Sequence, residues 1–338
     1  MSNVSKSRYL LFGSYLLLSL LAFVFLQKGR PQDAFHAEEF LKLYPHTYDR
    51  IPQIPSPYTM KDGTEIVVAF TQDEKYICLP VTVENGKPLI YARVGGEMGK
   101  GKQLGIDSAD FPTLAETGLH SEIELDQTKT ITGRSVALIT EIGRPGRSSG
   151  AGFMSHDEDI ISVLKGDNRL VQKMGLTHPQ TAKALFHVWN LVFLPYQDIA
   201  FLMYDGKKIF LEIRGSRGWQ DSIFKDEIQG EHTLKIWRDL ESGEKEFLNT
   251  KYSHLNEEQM AELVEDLSTI RTGEMALYYI MRYGFYEGHT DFRADPIAVA
   301  FIFGLRSLED IDHALGGNLY KALNEHFTRE SLSRGMGK

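Results

Sequence analysis

Hydrophobic and polar residues alternate along the first half of the chain, with the period of two that is typical of strands. Strand-like runs rich in β-branched and aromatic residues cover 64–70, 76–83, 88–94 and 131–139. Between two of these runs, Asn85-Gly86 is a hairpin-turn signal. The polar, glycine-rich stretch 95–120 is expected to be a long loop. The pattern therefore predicts a β-rich part over residues 62–142.

Apolar residues follow helical spacing over much of the chain after residue 150. The predicted helices cover 160–164, 182–193, 257–270, 274–283, 296–305 and 307–316. The first two follow capping boxes, which begin at Ser155 and Thr177. Two hairpins are expected, around Asp205-Gly206 and around Ser242-Gly243, the second with strands at 233–240 and 245–252. The predicted fold class is α+β, in which residues 143–330 either share a core with the β-rich part or form a second domain.

The N-terminus carries the pattern of a membrane anchor. Lys6 and Arg8 precede an apolar run over 9–26, which as a helix would reach roughly 27 Å, enough to cross a bilayer core. The run ends without the small residues of a cleavage site. We therefore expect an uncleaved single-pass transmembrane anchor over residues 1–30. A cleaved signal peptide and a buried core helix are the alternatives.

A tether is predicted between the anchor and the folded region. Residues 31–61 contain closely spaced prolines, which favour an extended and stiff spacer. Basic residues lie on both sides of the apolar run, with a slight bias towards an N-terminus inside the cell. The soluble region is accordingly expected outside the cytoplasm.

Charge and cysteine content narrow the possible partners. The chain of 338 residues has 46 acidic and 37 basic side chains, for a net charge of −9. Such a surface repels nucleic acid, so we expect no nucleic-acid partner. The single cysteine, Cys78, excludes an intrachain disulfide. The sequence contains no HExxH zinc motif and no Gly-x-Ser-x-Gly elbow, and it identifies neither a cofactor nor a metal.

The segment Gly96-Glu97-Met98-Gly99-Lys100-Gly101-Lys102 resembles a phosphate-binding loop up to its last position. There Gln103 replaces the serine or threonine that would hold Mg²⁺. The residues that follow are also a poor start for the helix that the motif requires. A flexible glycine loop is therefore the better interpretation.

A first candidate ligand site lies in the loop 144–152. Arg144 and Arg147 carry two guanidinium groups, and Ser148 and Ser149 add two hydroxyls, a set that suits a phosphate or carboxylate. The alternative is that both arginines pair with the acidic residues at 157–159.

The strongest candidate is the segment 287–295, which places charged groups directly before a predicted buried helix. His289 is predicted to act as a general base or metal ligand, with Asp291 orienting it and Glu287 as a further catalytic carboxyl. Arg293 is a candidate ligand-binding residue, or a partner of the neighbouring acids. Asp295 precedes a proline and is expected to cap the helix.

Two functional hypotheses follow. In the first, the loops 144–156 and 287–295 meet to form the active site of a hydrolase. In the second, the chain is a tethered, non-enzymatic binding or scaffold module, with a small molecule or an envelope glycan as its ligand. The aromatic residues at 278–286 are core residues by their spacing, although an exposed tyrosine wall would suit a sugar.

Overall fold

The computed structural model describes part of the chain, and the predicted anchor, 1–30, and most of the tether lie outside the described residues. The residues described are 47–48, 56–59, 65–71, 76–80, 83–84, 87–94, 101–105, 133–192, 199–225 and 228–326. All of them belong to one compact unit. Within these ranges, no helix has both the length and the apolar composition needed to cross a membrane.

Antiparallel strand pairing connects the described strands into a sheet with the order β1-β4-β3-β8-β9-β10-β6-β5. In addition, β2 pairs with β3, β7 with β6 and β11 with β10. The strands are β1 (Thr47–Tyr48), β2 (Tyr58–Thr59), β3 (Glu65–Thr71), β4 (Tyr76–Pro80), β5 (Val83–Glu84), β6 (Lys87–Val94), β7 (Gly101–Gly105), β8 (Ile199–Tyr204), β9 (Lys207–Asp221), β10 (Ile228–Trp237) and β11 (Thr269–Gly273). The predicted Asp205-Gly206 hairpin is confirmed, since both residues have a positive φ, as a type I′ turn requires.

The helices pack around a short apolar helix, as the pattern predicts. They are α1 (Val136–Gly143), α2 (Ile160–Lys173), α3 (His178–Val192), α4 (Ser242–Lys251), α5 (Glu257–Ser268), α6 (Ala276–Tyr283), α7 (Pro296–Ile302), α8 (Leu308–Ala314) and α9 (Leu319–His326). Every residue of α7 is buried, and the helix contacts α2, α3, α5, α8 and β11. The mixed α+β class is therefore confirmed for the described residues.

Two of the predicted strands are wrong, because local helix caps outweigh the pattern. The run predicted as a strand at 131–139 forms α1 from residue 136 onward, where the Ser135 side chain accepts a hydrogen bond from the N–H of Leu138. The strand predicted at 245–252 lies almost wholly within α4, which begins with a capping box formed by Glu241 and Glu244.

Three other boundaries differ from the predictions. The stretch 95–120 contains β7, which pairs with β6, so an extended strand follows the glycines where a phosphate-binding loop would require a helix. Helix α2 is capped by Asp159 rather than by Ser155, and it extends to Lys173. Strand β11 lies where only the end of a helix was expected. Its residues pair with β10 and continue the sheet.

The loop after α1 turns sharply at Gly152, which has a φ of +72°. The carbonyl of Gly143 accepts hydrogen bonds from the N–H groups of Phe153 and Met154, which folds the loop back onto the end of α1. A Cβ atom at Gly152 would lie 2.5 Å from the nitrogen of Pro145 and 2.9 Å from the Gly143 oxygen. These are backbone atoms and cannot rotate aside, so the loop requires glycine here.

We therefore expect Gly152→Ala to lower the free energy of unfolding by about 1–3 kcal/mol, because it adds a strained φ and a backbone clash. Gly150→Ala is the matched control, since a Cβ there meets no atom within 4 Å. It should change stability by less than about 0.5 kcal/mol. Urea unfolding of both variants measures the difference, and equal effects would contradict the described loop conformation.

Candidate active site

A cleft of about 350 Å³ opens where the loop after α1 meets the ends of several strands. It is lined by residues 148–153, 219–220, 230–233 and 273–275, together with Glu287 and Phe292. The loops 144–156 and 287–295 lie together here, since the N–H of Gly288 donates to the carbonyl of Phe153 at 2.7 Å. The cleft is thus the place where a site formed by both loops would lie.

A large bulge between β9 and β10 shapes one wall of the cleft. Gly215 pairs with His232 and Gln220 with Gly230, so residues 216–219 of β9 lie opposite the single residue Glu231 of β10. The bulge interrupts the ladder, and the N–H groups of Glu231 and His232 instead donate to Oε2 of Glu274, each at 3.0 Å. The bulge therefore fixes the Glu274 carboxylate at the cleft.

His232 and Glu274 form a hydrogen-bonded pair. Nδ1 of His232 lies 2.8 Å from the same Oε2 of Glu274, and the Glu274 residue is only 3% exposed. Three donors on one oxygen stabilise the ionised carboxylate. A histidine whose Nδ1–H donates to a carboxylate keeps the lone pair of Nε2 for another proton. Nε2 lies beside Gly215, 3.9 Å from the position of a Cβ there.

Glu287 contributes a second buried carboxyl to the same cleft. The residue is 4% exposed, and its Oε1 lies 3.9 Å from where a Cβ would stand at Gly273, the neighbour of Glu274. Burial raises the pKa of Glu287 well above its ordinary value, against the opposing effects of the Thr290 hydroxyl and the Arg293 charge. Thr290 Oγ1 donates to Oε2 at 3.3 Å. The protonated acid is therefore favoured.

The backbone of Glu287 is held in an unusual conformation, with a φ of +67°. Arg293 stabilises it from one side, since NH1 donates to the Glu287 carbonyl at 2.5 Å. The same guanidinium forms an ion pair with Asp167 and donates from Nε to Asp295 at 3.0 Å. Arg293 is 3% exposed and does not line the cleft. Its guanidinium group therefore positions the loop and is not accessible to a ligand in the cleft.

Arg293 and its partners Asp167 and Asp295 belong to a larger network of buried polar groups. Burial raises the pKa of Asp167 to about 6, although the Arg293 charge opposes this rise. Burial lowers the pKa of His178 to about 4, so the ring is neutral; it hydrogen-bonds the Tyr286 hydroxyl at 3.0 Å. These contacts explain why polar groups can be packed beside α7.

His289 does not line the cleft, and its partner is not Asp291. Nδ1 of His289 contacts Oε1 of Glu158, and the His289 N–H donates to Oε2 at 2.9 Å. Burial raises the pKa of Glu158, but the hydrogen bonds and charge of His289, with the N–H of Ser155, together lower it to about 2. Asp291 is exposed. The predicted His289 and Asp291 pair is therefore replaced by a His289 and Glu158 pair that joins the two loops.

The predicted anion site is divided by the fold. Arg144 and Arg147 both pair with Glu141, at 3.4 Å and 2.6 Å, rather than with the acids at 157–159, and neither arginine lines the cleft. Ser148 and Ser149 do line it. The Ser148 hydroxyl donates to the carbonyl of Ile142, and Ser149 Oγ accepts from the N–H of Gly152. The hydroxyls and the guanidinium groups therefore do not act on one ligand in the cleft.

Sequence reasoning identified Glu287, Ser148 and Ser149 but missed His232 and Glu274. His232 and Glu274 are 42 positions apart in the sequence, and only the fold brings them together. Within the described part of the chain, no group of three or more His, Cys, Asp or Glu residues is arranged to hold a metal ion.

The aromatic residues at 278–286 are core residues. Tyr278, Tyr279, Tyr283, Phe285 and Tyr286 are each at most 7% exposed, so they form no open tyrosine wall. In comparisons with protein-family models, curated proteins and solved structures, none matches the chain.

The raised pKa of Glu287 predicts a pH-dependent difference between the native chain and Glu287→Gln. A carboxyl whose pKa is raised by folding contributes stability that is fully present below its unfolded value of 4.5 and lost as the pH rises through its folded value. The native chain should therefore lose stability relative to Glu287→Gln as the pH increases above 4.5. Urea unfolding of both proteins between about pH 4 and pH 9 measures this difference.

Glu246→Gln is the control, because Glu246 is an exposed carboxyl on α4. Its difference from the native chain should stay nearly constant over the same pH range. A constant difference for Glu287→Gln as well would contradict a buried, protonated Glu287.

Proposed function

We propose that the cleft is the active site of a hydrolase that works by general acid–base catalysis, with Glu287 as the acid and His232 as the base. One observation carries the proposal: a buried carboxyl that favours its protonated form shares a cleft with a histidine paired to a carboxylate. A buried acid beside a histidine that is oriented by a carboxyl group is an arrangement suited to acid and base roles.

The proposed reaction uses both groups once. Nε2 of His232 takes a proton from a water molecule, whose oxygen forms a bond to the substrate. The bond to the leaving group breaks, and the Glu287 carboxyl protonates that group. Proton exchange with solvent then restores both residues. Each such group typically contributes about 10²–10⁴-fold to the rate.

Glu274 is a positioning residue in this proposal. It accepts the Nδ1 proton of His232 and so fixes the tautomer in which Nε2 is the basic nitrogen. Because the same oxygen also holds two N–H groups of the bulge, the ring orientation is coupled to the wall of the cleft.

The activity test compares three variants of the full chain. Glu287→Gln and His232→Ala should each lower kcat by about 10²–10⁴-fold, because each removes one proton-transfer group. Glu246→Gln, which lies outside the cleft lining, should leave kcat unchanged. The assay measures hydrolysis of nitrophenyl esters, peptides and nitrophenyl glycosides by the native chain and the variants.

Two results would contradict the hydrolase. Turnover of every substrate by Glu287→Gln at the native rate would show that Glu287 is not the acid. Alternatively, a ligand could bind in the cleft without turnover, which would favour the tethered binding module.

We also propose that residues 1–30 anchor the chain and that its folded region lies outside the cytoplasm. Support comes from the apolar run and the flanking basic residues of the sequence. The full chain should stay in the membrane pellet after alkaline carbonate extraction, and deletion of residues 1–30 should release it. Protease added to right-side-out vesicles should digest the folded region. Release of the full chain into the carbonate supernatant would contradict the anchor. Protection of the folded region from the protease would contradict its orientation.

A further inference from the structure

We infer that the cleft takes an uncharged glycan and that Trp219 is the platform on which one sugar ring stacks. This inference rests on the proposed function, because it treats Glu287 and His232 as the groups that act on the glycosidic bond. It adds the class of substrate and a binding residue outside the acid–base pair.

The charges of the described lining residues disfavour an anionic substrate. The ionisable residues that line it are Glu231, His232, Glu274 and Glu287, and none of the described lining residues is a lysine or arginine. The nearby guanidinium groups of Arg144 and Arg147 are engaged by Glu141. Among the described lining residues, a phosphate or carboxylate would meet the acidic side chains of Glu231 and Glu274, and like charges oppose binding. A neutral ligand avoids this cost.

Trp219 supplies the apolar part of the site. Its side chain is 49% exposed, and Leu138 is the other large hydrophobic residue of similar exposure within the described part of the chain. Leu138 lies on α1 and does not line the cleft, whereas Trp219 does. The C–H groups on one face of a pyranose ring pack against the electron-rich face of an indole. An exposed tryptophan at a polar cleft is therefore suited to a sugar.

The backbone bulge in β9 places the Trp219 ring at the cleft. Residues 216–219 leave the ladder between β9 and β10, and pairing resumes at Gln220. A regular strand would keep residue 219 in register with β10, whereas the bulge presents it at the edge of the cleft. The same bulge orients His232 through Glu274, so the platform and the proposed base are parts of one local irregularity.

The remaining lining groups suit hydroxyl-rich ligands. Ser149, Gln220 and Thr233 provide neutral hydroxyl and amide groups, which hydrogen-bond sugar hydroxyls without requiring a charge on the ligand. The volume of about 350 Å³ is near the lower end of ligand sites, which fits a short stretch of glycan rather than a folded partner.

The reaction on such a substrate is hydrolysis of a glycosidic bond. The bond between the anomeric carbon and the bridging oxygen breaks, and the oxygen of a water molecule bonds to that carbon. Glu287 protonates the bridging oxygen, and His232 accepts the proton of the water. Two sugar products leave, no oxidant or reductant is needed, and both residues regain their starting protonation from solvent.

Binding to an inactive chain tests the inference directly. Full-length Glu287→Gln is titrated with cellohexaose, chitohexaose and maltohexaose, and with an oligogalacturonate as the charged comparison, by calorimetry and tryptophan fluorescence. We expect at least one neutral oligosaccharide to bind, and we expect the oligogalacturonate not to bind. Adding Trp219→Ala should weaken binding about tenfold or more and remove the fluorescence change.

Leu138→Ala in the same Glu287→Gln chain is the matched control. It truncates the other exposed apolar side chain, away from the cleft, and should leave the affinity unchanged. The inference is overturned if no neutral oligosaccharide binds, if Trp219→Ala and Leu138→Ala have the same effect, or if the oligogalacturonate binds most tightly.

The two proposals fail in distinguishable ways. Trp219-dependent binding of an oligosaccharide, with no reducing ends released by the native chain, supports the glycan and refutes the hydrolase. Glu287-dependent cleavage of an ester or peptide, with no oligosaccharide bound, supports the hydrolase and refutes the glycan.

Discussion

The folded region depends on the buried guanidinium of Arg293. It joins Asp167 on α2, which is 126 positions away in the chain, to Asp295 at the start of α7 and to the carbonyl of Glu287. A buried ion pair is weak evidence for stability, because desolvation offsets most of the attraction. Loss of one partner is costly, however, at about 3–5 kcal/mol, because the other charges stay buried. The arrangement therefore specifies where the loop must lie, and through it the position of Glu287.

The two buried carboxyls of the cleft avoid the cost of burial in opposite ways. Oε2 of Glu274 accepts hydrogen bonds from two N–H groups of the bulge and contacts Nδ1 of His232, which compensates for the loss of water. Glu287 has the hydroxyl of Thr290 as its donor, and burial raises its pKa instead. One wall thus carries a histidine paired with a carboxyl group, while the neighbouring loop carries a carboxyl whose pKa is raised by burial. The difference between the two carboxyls follows from backbone geometry. The bulge leaves the N–H groups of Glu231 and His232 outside the ladder, and Glu274 accepts hydrogen bonds from both.

Local signals in the sequence predicted the elements that local chemistry determines. Asp205-Gly206 predicted the hairpin, and the capping box at Thr177 predicted the helix α3 that follows it. The apolar run at 131–139 was predicted as a strand, and this was wrong because the Ser135 cap begins a helix there. The site needed distant contacts: His289 meets Glu158, which is 131 positions away, and His232 meets Glu274 only through a bulge. Such contacts leave no periodic trace in one sequence.

Most polar contacts around the cleft have a sufficient structural explanation, and this makes Glu287 the informative residue. Arg293 fixes a loop, Glu158 joins two loops, and Glu274 satisfies the donors of a bulge. Glu287 combines a positive φ, which is costly for a residue with a side chain, with a carboxyl buried at 4% exposure. A glycine would adopt this backbone without strain, and an apolar side chain would avoid the desolvation. These two costs are the reason why we propose a role for the carboxyl itself.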